Sequence, residues 1–219
     1  MKVSDILADI NSSLEPSYEQ LESLAQIISA HCKPFLALID YDPAQHVMWR
    51  GVGGADSPRR AIPVFVKEVR TNRKPSTMTN ATVHKHTDEY FLRKHNIRAQ
   101  SQAMFVTGDT TQAATYGNVY AVFPIGEMQF VWSPKVADMD GIFVGQTERK
   151  VLELDKTDPQ KAFSFVSSIL EKQKYTTQDL KGALSHGVEI MVNCDFFLSI
   201  SQSLFNQMKE QGLFDYMDS

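Results

Sequence analysis

The sequence predicts a single α+β domain with a helical N-terminal lobe, and three observations carry that prediction. Two N-terminal stretches place apolar residues at helical spacing, separated by Pro16. After them, short strand-like and helix-like runs mix without the regular alternation of a doubly wound parallel sheet. No internal repeat or Gly-Ser linker divides the 219 residues, and a composition 42% hydrophobic and 22% charged supports one sizeable core. Residues 1–33 form the helical lobe of this domain and 34–219 its core.

The elements follow in order. Val3 to Leu14 and Tyr18 to His31 read as amphipathic helices, the second with Leu21, Leu24, Ala25, Ile27 and Ile28 on one side. Phe35 to Ile39 is a short apolar run expected to be a strand, and Val47 to Val52 the next. Pro63 to Arg70 is expected as a helix ending before Lys74-Pro75. Ser76 to Asn80 offers several N-caps for a helix from Ala81 to His95. Ala103 to Thr107 reads as a strand, followed by a short helix through Ala113, Ala114 and Tyr116. Val119 to Phe123 and Met128 to Trp132 flank Pro124-Ile125-Gly126-Glu127 and read as a hairpin. Ile142 to Thr157 has no clear pattern, with Val151 to Leu154 as a candidate strand. Asp158-Pro159 opens a helix to Lys172, since Pro suits the first helical turn. Thr177 to Leu184 is a short helix, Val188 to Val192 and Phe196 to Ile200 are strands, and Ser203 to Glu210 is a helix stopped at Gly212.

Composition narrows the setting. No apolar run approaches the ~20 residues of a membrane span, and Met1 to Asn11 lacks the basic and apolar regions of a signal peptide. Cys32 and Cys194 are too few for a disulfide framework, so a cytoplasmic protein is expected. Between Arg59 and Arg98, ten basic residues face three acidic ones. That segment carries +7 and the rest of the chain −11, for a net charge of −4. Such a block suits a polyanionic partner, a nucleotide's phosphates or a nucleic acid, or else a solvated helix face. His84-x-His86 has no third ligand at metal spacing, so no metal site is expected.

Three segments carry chemistry. In Val47-Met48-Trp49-Arg50-Gly51-Val52 a lone arginine interrupts a strand-like run. Arginine is rarely buried unpaired, and its fork suits a diphosphate, a carboxylate or a structural acidic neighbour. In Met104-Phe105-Val106-Thr107-Gly108-Asp109 a hydroxyl ends a strand beside a glycine, and Tyr116 follows as a ring able to stack on a heterocycle. In His186-Gly187-Val188-Glu189-Ile190-Met191-Val192 a carboxylate interrupts the apolar run as Arg50 does, either to pair with Arg50 or to act as a reagent.

With these three in order, the chain resembles the mono-ADP-ribosyltransferases of the Arg-Ser-Glu class, most of all those of tailed bacteriophages. Met48 to Val52 is similar to their arginine strand, Phe105 to Asp109 with Tyr116 to their hydroxyl element, and Glu189 to Val192 to their catalytic-glutamate strand. The likeness spans roughly residues 20 to 200 and implies a split mixed/antiparallel sheet core and NAD as co-substrate. It implies that Arg50, with Gly51, grips the diphosphate and nicotinamide-side ribose, and that Thr107 and Gly108 support the site. By the same likeness Tyr116 is the candidate ring for packing against nicotinamide, and Glu189 is expected to accept from the ribose 2′-hydroxyl. A viral protein acting in host cytoplasm, with a host protein or nucleic acid as acceptor, is implied as well.

The chain also departs from the family pattern. Gly187 stands where acceptor-positioning members carry Glu or Gln, and Thr107-Gly108-Asp109 lacks a second hydroxyl. His186, Asp109 and Glu127 are the residues considered for placing or deprotonating the acceptor. Two other activities stay open. One is NAD hydrolysis at the same site. The other is a non-catalytic protein- or nucleic-acid-binding module in which Arg50 and Glu189 form an internal ion pair.

Overall fold

A computed structural model of the protein describes residues 2–13, 15–53, 62–75 and 80–215. Its centre is a five-stranded sheet of β1 (Met48–Val52), β2 (Val64–Glu68), β3 (Met104–Val106), β4 (Asn118–Trp132) and β5 (Ile190–Ser201), antiparallel at every pairing. The α+β class holds, and the pairing is antiparallel rather than mixed.

β4 and β5 pair along almost their whole length, from Tyr120↔Ser201 to Trp132↔Ile190, with a bulge between Ile125 and Met128. On one side of the bulge β1 adds to β4 and β2 to β5. On the other, β3 adds to β5 at Ile190 to Val192. β3 then meets β1: Trp49 N–H donates to the Thr107 carbonyl at 2.7 Å and Thr107 N–H to the Trp49 carbonyl at 2.9 Å. Two halves of the sheet therefore share two long strands and are fastened again by one backbone bridge.

The bulge corrects the expected hairpin. Gly126 adopts φ +74°, and the extra residues of Pro124-Ile125-Gly126-Glu127 bend a continuous strand instead of reversing it. Likewise, Val188 to Val192 and Phe196 to Ile200 belong to one strand.

Successive side chains alternate between two cores. Phe130, Trp132, Ile190 and Val192 face one that also takes in α1 (Val3–Ser12), α2 (Tyr18–His31), α3 (Lys33–Leu38) and α9 (Gln202–Glu210). Val131 and Met191 face the other, beneath α4 (Ala81–His95), α6 (Gln146–Thr157) and α7 (Pro159–Lys172). The N-terminal helices bury Ile10, Leu21, Leu24 and Ile28 in the same core as the sheet. Asn11 ties α1 to the edge strand by accepting from Val64 N–H at 3.0 Å and donating to its carbonyl at 2.8 Å.

Three further expectations are corrected. Phe35 to Ile39 is helical: Pro34 stands in the first turn of α3, and Phe35 and Leu36 are buried. Pro63 to Arg70 contains β2 instead of a helix; Val64-Phe65-Val66-Lys67-Glu68 is β-branched-rich and only Val64 is fully buried, as suits an edge strand. Val151 to Leu154 lies inside α6, whose single fully buried residue is Val151. The helix from Ala81 is capped by Asn80, which accepts from Thr82 N–H at 2.9 Å; the other proposed caps, Ser76 to Thr79, lie outside the described residues. α7 is capped by Asp158, and no helix among the described residues is long and apolar enough to cross a membrane.

Candidate active site

The backbone bridge brings the ends of three strands to one place. Arg50 is on β1, Thr107 follows β3, and Glu189 immediately precedes β5. Arg50, Thr107 and Glu189 line a single cleft of about 150 Å³, together with Gly51, Tyr116 and Asp138. Arg50 and Arg73 also line an adjoining cavity of about 80 Å³ with Lys67 and Arg70.

Arg50 is half-buried, its guanidinium 5.6 Å from the centre of the Phe197 ring. Among the described residues it forms no ion pair with Glu189. Gly51 is required by packing. A Cβ there would stand 2.0 Å from the Ala113 carbonyl oxygen, so only glycine lets α5 (Thr110–Ala114) lie against β1.

Thr107 is buried and its hydroxyl is fully engaged. It accepts from Asp109 N–H at 3.1 Å and lies within donating distance of Gln112 Oε1, 2.7 Å, and the Gly187 carbonyl, 3.0 Å. One of its two acceptors thus lies in the turn that carries Glu189, two residues upstream of the carboxylate. Thr107 holds the site in shape through Gly187 rather than through Glu189 itself.

Glu189 sits on the far side of that turn. Helix α8 (Leu180–His186) ends at Gly187, which takes φ +63°, the left-handed conformation that glycine adopts without strain. Glu189 N–H donates to the Ala137 carbonyl at 3.0 Å, and Glu189 Oε1 accepts from Met139 N–H at 3.2 Å. The loop from Ser133 to Gly141 therefore grips both backbone and carboxyl. Burial pushes the Glu189 carboxyl up to about 8, and the neighbouring Asp138 adds to the rise; the Met139 N–H and Arg73 oppose it.

Tyr116 is 58% exposed at the cleft mouth and donates its hydroxyl to Asp138 Oδ2 at 3.2 Å. Burial and then Asp138 hold that phenol above its ordinary pKa.

Other sequence candidates have different work. Gly108 lines a separate cavity; a Cβ on it would be 1.7 Å from the Leu184 carbonyl oxygen, so it seats α8 rather than a ligand. Asp109 caps α5, accepting from Thr111 N–H at 2.7 Å and Gln112 N–H at 3.4 Å. His186 is exposed outside the cleft, its Nδ1 2.7 Å from the Gly182 carbonyl and its ring against Trp132. Glu127 is exposed on the β4 bulge. His84 lines the cleft, whereas His86 meets Asp155 at 2.7 Å, so the two imidazoles serve different places.

The basic block divides. Arg73 stacks 4.1 Å over Phe105 and lines the cleft with Lys74. Arg93 pairs with Glu89 and lies over Phe163, and Arg98 reaches Asp88 at 3.4 Å. Arg59 and Arg60 lie outside the described residues.

Sequence reasoning missed Asp138, Asp140 and Gln112. The available signal was the polar, turn-rich stretch Ser133-Pro134-Lys135 to Asp138-Met139-Asp140 directly after a strand, since loops at strand ends carry site residues.

Compared with family models, curated proteins and solved structures, this chain has no match to any of them.

Proposed function

We propose that this protein is a mono-ADP-ribosyltransferase that moves ADP-ribose from NAD to a macromolecular acceptor and releases nicotinamide. The observation that supports it most is the meeting of Arg50, Thr107 and Glu189, from three distant segments, around one cleft. That cleft is polarised. Arg50, Arg73 and Lys74 supply cations suited to a diphosphate, and Glu189 supplies a carboxylate suited to a sugar hydroxyl.

Each residue then has a role. Arg50 grips the diphosphate, and Tyr116 offers its exposed ring to the nicotinamide. Glu189 accepts from the 2′-hydroxyl of the nicotinamide ribose. As the C1′–N bond breaks, its electron pair leaves with nicotinamide, which departs neutral because the ring in NAD was cationic. The ribose becomes oxocarbenium-like, as at glycosidase centres, and an adjacent carboxylate stabilises it. Arg73 and the Met139 N–H work against the rise in the Glu189 pKa and so favour its ionised form.

Among the described residues Arg50 and Glu189 line the same cleft without pairing with each other, which suits a ligand held between them. Gly187, which presents no side chain to an acceptor, favours one second reading: hydrolysis of NAD with water as acceptor. Incubation with ³²P-labelled NAD separates the possibilities. Nicotinamide release with labelled macromolecule supports transfer, and free ADP-ribose alone supports hydrolysis. Absence of released nicotinamide from the wild-type protein refutes both. Glu189→Gln is expected to remain folded and to lose the activity.

A further inference from the structure

We propose that Asp138 is the base that takes the acceptor's proton in the transfer step, a role resting on the transferase reading above. Gly187 leaves the acceptor side without a carboxylate or amide at the expected position. The loop from Ser133 to Gly141 brings one in from another direction. Its placement is fixed by Glu189 itself: Ala137 O receives the Glu189 N–H at 3.0 Å and Met139 N–H donates to Glu189 Oε1 at 3.2 Å, with Asp138 between them.

The Asp138 side chain is held from two sides. Oδ1 accepts from Asp140 N–H at 2.8 Å, capping the short 3-10 turn Met139–Gly141, and Oδ2 accepts from the Tyr116 hydroxyl at 3.2 Å. It lines the same cleft as Arg50 and Glu189. A carboxylate anchored at one oxygen by backbone, and at the other by the phenol of the exposed Tyr116, is held half-buried at the open side of the cleft.

The step balances. Nicotinamide leaves with the electron pair of the C1′–N bond, and the acceptor's N or O lone pair forms the new bond to C1′. The proton on that acceptor atom passes to Asp138 and then to solvent. Water is abundant and can pass its proton to neighbouring solvent, so its capture of the centre depends less on a positioned base. A tethered macromolecular nucleophile is present once and benefits from losing its proton as it attacks. Asp138 therefore governs how released ADP-ribosyl groups divide between acceptor and water.

The experiment measures that division. Wild type, Asp138→Asn and Asp138→Glu are incubated with ³²P-labelled NAD and a bacterial lysate. Nicotinamide, free ADP-ribose and acid-precipitable label are quantified together. Asparagine is as good an N-cap as aspartate, so the melting temperature of Asp138→Asn should stay within about 3 °C. The share of turnovers ending on macromolecule is expected to fall at least tenfold in Asp138→Asn, in line with the ~10²–10⁴ of general-base catalysis, and to recover severalfold in Asp138→Glu. An unchanged share in Asp138→Asn overturns the proposal, as does a Glu variant no better than the Asn one. Wild type that yields free ADP-ribose alone also overturns it, because no transfer step then exists. If wild type releases no nicotinamide, it is the transferase reading that fails.

Discussion

Replacing Glu189 by glutamine should make the protein more stable at alkaline pH while abolishing the proposed release of nicotinamide from NAD. The Glu189 carboxyl is raised from 4.5 to about 8, first by burial and then by Asp138, with Asp140 adding to both and Arg73 opposing. A carboxyl whose folded pKa exceeds its unfolded value holds its proton more tightly in the native state. Stability is then lost as pH rises from about 4.5 to about 8. At ~1.36 kcal/mol per pKa unit the ceiling is roughly 5 kcal/mol. Glu189 keeps partial contact with solvent, which screens its charge, so the expected cost is about 1–3 kcal/mol. Glutamine removes the charge and keeps an oxygen for the Met139 N–H. Denaturant midpoints should nearly coincide for wild type and Glu189→Gln at pH 5. At pH 9 the variant should be more stable by about 1–3 kcal/mol, equivalent to roughly 2–10 °C in Tm for a chain this size. Tyr116 and Tyr175 are held above their ordinary pKa and add no competing transition in this range. A variant equally stable or weaker at pH 9 would falsify the account of a strained carboxylate. An internal ion pair with Arg50 predicts that opposite sign.

Other expectations follow from the same geometry. Nicotinamide release at low NAD concentration should climb with pH toward about 8 as Glu189 ionises, and Asp138→Asn should move that rise to lower pH; a flat profile refutes it. Arg50→Lys keeps the charge but loses the two-pronged grip, so kcat/KM for NAD should fall about 10–10²-fold with little change in Tm. Thr107→Val should cost about 1–3 kcal/mol in chemical denaturation, because Asp109 N–H and the Gly187 carbonyl lose their partner, whereas Thr107→Ser should retain most stability and activity. Gly108→Ala forces a Cβ into the Leu184 carbonyl at 1.7 Å and should destabilise by about 2 kcal/mol or more, read by thermal denaturation.

The long elements were legible where the pattern was long. Tyr18–His31 and Ala81–His95 follow from sustained helical spacing plus caps, and Pro159–Lys172 from Asp158-Pro159 at its start. Short apolar runs were ambiguous: Phe35 and Leu36 are buried while Ala37 and Leu38 are exposed, a division the uniformly apolar run does not show, and tertiary packing decides for helix. Pro124 and Gly126 signal a turn locally, but pairing with β5 on both sides of the bulge outweighs that signal. Within the site, Arg50 and Glu189 stood out because charged residues interrupt apolar runs. Asp138 did not, since a carboxylate in a polar loop looks like any solvated side chain until the fold turns it toward Glu189. Gly108 misled because close approach to a ligand and close approach to Leu184 demand the same residue.

Sharing β4 and β5 between both halves of the sheet also governs how the molecule comes apart. Neither half owns a complete set of strand partners, so separating one exposes the ladder of the other. Amides of Val131 and Leu198, on opposite sides of the bulge, should therefore exchange with deuterium through one common global opening rather than two independent ones. The candidate site, strung across that seam, would then be present whole or absent, with no half-assembled form surviving.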